Sequence, residues 1–171
     1  MANRAYLLAV DDRAATWTDD PERTVLAEGI EEVPVFWASL FTPQDRQIDA
    51  IEGGDETLEV ANWCVDSGTA RQRLEELREP IARLLDDRSR QLWEQWVAFL
   101  VGQSPRYFKT NADEVWGLDP DGYEDYCATL LTAFSNPSAE SLKAANPVSG
   151  VNSPISVGSK PAHWADSTDP I

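Results

Sequence analysis

One histidine, two cysteines and one methionine are present in 171 residues, so the commonest reactive centres have little to be built from. Histidine is the usual proton carrier near neutral pH, and His163 stands alone near the C-terminal end. A Ser-His-Asp or Cys-His centre would need that stretch to fold back onto a nucleophile. The plainer expectation is an exposed imidazole beside Trp164. Cys64 and Cys127 lie 63 positions apart, which fits no metal or redox spacing. Two reduced, buried thiols are expected, because free cysteine is among the most buried residue types. No glycine-rich phosphate loop exists: Gly53-Gly54 is followed by neither Lys-Ser/Thr nor a third glycine. No apolar run approaches the roughly 18 residues needed to span a bilayer. The short run Ala5–Val10 after Arg4 stops at Asp11-Asp12, too early for the core of a signal peptide. It reads as a first β-strand, and the expected location is cytoplasmic.

Positive charge is also scarce. Fourteen Lys and Arg face thirty Asp and Glu, a formal net charge of −16. Such a polyanion is repelled by phosphate backbones and by anionic membranes, so neither nucleic acid nor membrane is an expected partner. The charge is uneven: residues 1–66 carry −11, residues 67–102 are neutral and residues 103–171 carry −5. A basic protein partner fits this imbalance.

Apolar residues make up 42% and charged residues 26%, ordinary for a globular chain of one domain with its own core. Arg4–Val10 and Thr57–Val65 read as strands, and Arg106–Phe108 as a short extended piece after Pro105. Asp20-Pro21-Glu22 has the chemistry of a helix start, predicting a helix to about Glu28, stopped by Gly29. Thr42-Pro43-Gln44-Asp45 repeats that signal and predicts a helix to about Ile51. Val33–Phe41 is the most apolar window, and Pro34 near its start favours a helix. Gly53-Gly54 reads as a turn. Ala70, Leu74, Leu77, Ile81, Leu84 and Leu85 share one helical face, with a kink or break expected at Glu79 before Pro80. Leu92, Trp93, Trp96, Val97 and Leu100 mark a second helix ending near Gly102. Asn111–Glu114 and Asp121–Glu124 loosely fit capping boxes. The second introduces a helix bearing Tyr123, Tyr126, Cys127, Leu130, Leu131 and Phe134. From Ser135 onward eighteen of 37 residues are Ser, Pro, Asn or Gly. Residues 135–171 are thus expected to be a largely disordered tail, with a helical turn or two over Ser138–Ala145, and residues 1–134 the globular domain.

Adjacent carboxylates are numerous, but neighbours on a helix point about 100° apart and form no dyad by sequence alone. Asp119-Pro120-Asp121-Gly122 resembles part of a calcium loop, yet the twelfth position is Leu130 where a Glu is needed. Helix capping is the better reading. No cofactor or metal site is expected. Of seven tryptophans, Trp37, Trp63, Trp93 and Trp96 sit in apolar windows and belong in the core. Trp17, Trp116 and Trp164 stand among polar residues, where the bland expectation is a ring capping the core edge with its N–H in water.

The opening Met1-Ala2-Asn3-Arg4-Ala5-Tyr6-Leu7 resembles a family of small, largely uncharacterised bacterial proteins that begin Met-Ala-Asn-Arg-Ser-Tyr-Leu. The resemblance continues through Val33-Pro34-Val35-Phe36-Trp37, where that family has an Ile-Pro-Leu-type helix. It extends to Gly68-Thr69-Ala70-Arg71-Gln72-Arg73-Leu74 and Arg106-Tyr107-Phe108, over about residues 1–134 in all. Ala5 replaces the family's Ser, and the acidic Asp11–Glu32 segment and the tail are particular to this chain. The resemblance implies an intracellular α+β domain and carries no established catalytic residues.

The expected fold is α+β, a mostly helical single domain with a small sheet from residues near 4–10, 57–65 and 106–109. The expected function is a non-enzymatic, acidic protein-binding module, one version being an immunity-type protein that masks a basic partner. Asp11, Asp12, Trp17, Asp19, Asp20, Glu31 and Glu32 are the candidate partner-binding residues. The alternative is a carboxylate-dependent hydrolase, which predicts at least two acids converging in a concave pocket with raised pKa values. A third reading, carboxylates mimicking a phosphate track, requires a regular spacing that the sequence lacks.

Overall fold

Alternation of Ala5, Leu7 and Ala9 with Tyr6, Leu8 and Val10 makes Arg4–Val10 a strand with two apolar faces, β1. In the computed structural model, which describes residues 3–15, 24–30, 33–53 and 56–145, β1 lies inside a five-stranded antiparallel sheet. The other strands are β2 (Thr24–Ile30), β3 (Arg46–Gly53), β4 (Glu56–Asp66) and β5 (Tyr107–Asn111), in the order β2-β1-β5-β4-β3. Five helices follow the first four strands in sequence: α1 (Ser67–Ala82), α2 (Asp87–Val101), α3 (Asp113–Trp116), α4 (Pro120–Ser135) and α5 (Ala139–Ala144). The molecule is a single α+β domain.

One sheet face, with Ala5, Leu7, Trp63, Val65 and Phe108, shares a single apolar core with the helices. Val35–Leu40 forms a 3-10 helix that is buried along its whole length, and Phe36 packs edge-on to Trp93 at 5.1 Å. Ala70, Leu74, Leu77 and Ile81 of α1 and Trp93, Trp96, Val97 and Leu100 of α2 complete this layer. Trp37, Trp63, Trp93 and Trp96 are all core, as their apolar windows imply.

The two ends of α1 show how side chains set boundaries. Asp66 accepts a hydrogen bond from the Thr69 amide at 2.9 Å and starts the helix. The predicted break at Glu79 does not occur. Pro80 lies on the exposed side within three residues of the end, and buried Ile81 holds the last turn in place. The freed carbonyls are met from α2: Trp93 donates its indole N–H to the Arg78 carbonyl, and the Arg90 guanidinium donates to those of Ala82 and Leu85.

Four other expectations are corrected. Thr24–Ile30 is a strand and not the end of a helix, because pairing with β1 overrides the Asp20-Pro21-Glu22 start signal, itself outside the described residues. Thr42–Asp45 does form a capping box, but over a three-residue 3-10 turn. Arg46 is already extended, and Arg46–Gly53 runs on as a strand against β4. The cap of α4 is Asp119, which accepts from the Gly122 amide with Pro120 in the first turn, so the helix begins two residues earlier than expected and with a simple cap in place of a box. Asn111 is no cap either; it ends β5, and α3 starts at Ala112 without a side-chain cap. Beyond residue 134, α5 is capped by Ser138 and packs on α4, with Leu142 buried. Residues 146–171, most of the expected tail, lie outside the described residues. Among the described residues no helix is long and apolar enough to cross a membrane.

Candidate functional site

The opposite sheet face gathers the buried polar groups, Asn62 and Lys109 on the strands with Asp113 of α3 beside them. β4 pairs with β5 only over Cys64–Asp66, whereas it pairs with β3 along all eight residues of that strand. The β3–β4 hairpin therefore leaves the sheet beyond Trp63, and its backbone needs other partners there. Side chains supply them. The Trp63 amide donates to the Thr110 hydroxyl at 2.9 Å, and the Ala112 amide donates to the Asn62 carboxamide oxygen at 3.2 Å.

Asn62 is the hinge of this arrangement and is 1% exposed. Its oxygen accepts from Ala112 N and the Thr110 hydroxyl. Its nitrogen donates to Asp49 Oδ2 at 2.9 Å and to Asp113 Oδ1 at 3.4 Å. With donors on one side and carboxylates on the other, only one orientation of the amide satisfies both. Asn111, two residues along β5 from Lys109, donates to Asp113 Oδ2 at 2.9 Å.

Lys109 is the buried cation of the site. It is 2% exposed, and Asp49, its partner at 3.0 Å, is 7% exposed. Its three ammonium protons reach Asp49 and the carbonyls of Arg13 and Ala15. The segment leaving β1 is thus tied down over this face. Arg13 adds a hydrogen bond to the Cys64 carbonyl at 3.1 Å, and Gln47 bridges the Arg13 carbonyl and Asp49. Alternation along the strands explains the gathering: Leu8, Lys109 and Cys64 are register partners, and Gln47, Asp49 and Asn62 share their side.

Leu8, Ala15, Asp49, Ile51, Asn62, Lys109, Asn111 and Asp113 line a recess of about 10 Å³, the room one water molecule needs. Burial pushes the Asp113 carboxyl above its ordinary value, opposed by the hydrogen bonds from Asn111 and Asn62. Burial also raises the thiols, Cys64 to about 11 and Cys127 to about 12, and both are free and buried. A thiol held so firmly protonated is a poor nucleophile. Among the described residues no three Asp, Glu, His or Cys side chains gather closely enough to hold a metal ion.

Of the sequence-predicted partner residues, Asp11 and Asp12 are exposed in the turn after β1, where Asp12 accepts from the Ala14 amide at 2.9 Å. They sit at the rim of the recess loop and not in it. Trp17, Asp19, Asp20, Glu31 and Glu32 lie outside the described residues, as do His163 and Trp164. Trp116 packs at the core edge, but its N–H is buried and unpaired rather than wet, because the ring is turned inward. Sequence reasoning missed Lys109, Asp49 and Asn62. The available signal was the alternation that sets Lys109 apart from Phe108 in β5 and Asn62 among the apolar residues Val60–Val65 of β4; Asp49, in the half-polar β3, carried none.

Compared with protein-family models, with curated proteins and with solved structures, the chain gives no match in any of the three.

Proposed function

We propose that the chain is a non-enzymatic binding module that meets a basic protein through its carboxylates, an immunity-type role being one version. The observation that carries this reading is the net charge of −16, with several of the described cations committed to internal partners while Arg83, Arg88, Arg106 and Lys143 stay exposed. Arg4 is paired with Glu28, Arg46 with Glu124 and Arg78 with Glu94, each within 2.7 Å. Arg73 and Arg90 are held by backbone carbonyls, and Lys109 is buried. Asp11, Glu59, Asp121, Asp125 and Glu140 meanwhile lie exposed. An approaching protein meets an excess of carboxylates, and opposite potentials speed encounter and fix register. The unpaired thiols of Cys64 and Cys127 support a reducing compartment, hence the cytoplasm.

The test is retention of proteins from a lysate on the immobilised chain, compared with an Asp11→Asn/Asp12→Asn variant. Preferential retention of basic proteins, weakened by the variant, supports the reading. Retention indifferent to partner charge removes it.

The second reading, a carboxylate-dependent hydrolase, is favoured by the convergence of Asp49 and Asp113 on one recess and by the raised Asp113 carboxyl. It is opposed by the recess volume and by Asp49 being occupied by Lys109, Asn62 and Gln47. Hydrolysis of a model ester or glycoside that vanishes in Asp113→Asn would revive it.

A further inference from the structure

We propose that the outer edge of β3 takes up an extended lysine- or arginine-bearing segment of a partner protein as a sixth strand of the sheet. The proposal rests on the basic-partner reading and names where and how the partner binds.

β3 is terminal in the strand order and pairs only with β4. Among the described residues the one backbone bond between Arg46–Gly53 and a residue outside the β3–β4 ladder is that of the Arg46 amide to the Pro43 carbonyl, at the very start of the strand. A sheet edge leaves alternate N–H and C=O groups open, and proteins ordinarily blunt it with proline, lysine or a bulge. β3 has no Pro, Lys or bulge, its register with β4 running unshifted from Arg46↔Trp63 to Gly53↔Glu56, and its one inward-pointing charge, Asp49, is neutralised by Lys109. The opposite edge strand, β2, is broken by a register shift at Leu7/Leu8. Apolar surface accompanies the open edge. Ile48 is 46% exposed, with exposed Ala50 on the same side. Main-chain bonds with alternate side-chain seats are the two requirements of strand addition.

Charge decides the occupant. Residues 1–66 carry −11, and Glu59, the register partner of Ala50, is exposed. A second copy of this chain would bring one strongly acidic surface against another, and like potentials oppose association. Arg46, the only base on β3, is held by Glu124 at 2.7 Å. A strand alternating apolar and basic residues fits both the seats and the field.

The test uses the full chain and an eight-residue peptide alternating valine and lysine, beside the same peptide with every backbone amide N-methylated. The expected result is binding of the first peptide at low salt, at least tenfold slower amide exchange within Arg46–Gly53, and little binding of the methylated form. Ile48→Lys is expected to weaken the peptide at least tenfold while leaving the fold intact by circular dichroism. Equal binding of both peptides without protection of β3 overturns strand addition and leaves the basic-partner reading standing. Failure of both peptides to bind overturns both. Self-association abolished by Ile48→Lys overturns the choice of occupant.

Discussion

Replacing Lys109 by methionine keeps most of the side-chain stem and deletes the ammonium. Asp49 then stays 7% exposed with its carboxylate facing only Asn62 and Gln47, and the carbonyls of Arg13 and Ala15 lose their donor. Breaking a buried ion pair by removing one partner costs about 3–5 kcal/mol, because the remaining charge is left uncompensated. Two donors still serve Asp49, so the expected loss is near the lower end, about 3 kcal/mol. For a chain of this length that lowers the melting temperature by roughly 6–12 °C. Urea unfolding at pH 7 measures the loss directly, provided the denaturant slope is unchanged. The double variant Lys109→Met/Asp49→Leu is expected to be more stable than Lys109→Met alone, since removing both charges removes the uncompensated one. Trypsin cleavage after Arg13 should accelerate in the single variant, because the tether over the segment is gone. A single-variant loss below about 1 kcal/mol, the range of exposed pairs, would refute the reasoning.

Three further outcomes follow from the same geometry. Asn62→Ala removes hydrogen bonds on both sides of the amide and should cost about 3 kcal/mol in urea unfolding; Asn62→Asp should be worse than Asn62→Ala, since it sets a third carboxylate against Asp49 and Asp113. Cys64 and Cys127 hold their protons to about 11 and about 12 in the folded state but only to 9.0 when unfolded. The unfolded chain therefore binds fewer protons above pH 9, and stability should fall between pH 9 and 11 by up to about 1.4 kcal/mol per pH unit per thiol. Cys64→Ala/Cys127→Ala should flatten that slope. Asp66→Ala should destabilise by about 1 kcal/mol through loss of the α1 cap. The Thr69 hydrogen bonds hold the Asp66 carboxyl below its ordinary value, so its contribution is present above pH 4 and fades on acidification in a urea-melt series.

Periodicity made the helices legible, since Leu74, Leu77 and Ile81 or Trp93, Trp96 and Leu100 recur at one face and nothing competes with that pattern. The edge strands were not. In Thr24–Ile30 and Arg46–Gly53 a genuine cap signal precedes each segment, and the strand state is imposed by pairing with β1 or β4, which no local window contains. The polar site was hidden for a related reason. Lys109 and Asp49 are 60 positions apart, and only the register Cys64↔Lys109 with Asp49↔Val60 brings them to one side. Within Phe108–Asn111, alternation already separates Lys109 and Asn111 from Phe108, which marks a buried lysine in need of a carboxylate without saying which one. The partner-binding acids were chosen from charge density alone, and density does not report which carboxylates are consumed internally.

The central claim is that the excess carboxylates of a chain with a net charge of −16 hold a basic protein. Its most direct measurement is the affinity of the full chain for a basic protein it retains, titrated calorimetrically from low to high salt. A loss of at least about tenfold between 50 and 500 mM salt is predicted, as screening of exposed charge demands. An affinity unchanged over that range would contradict it.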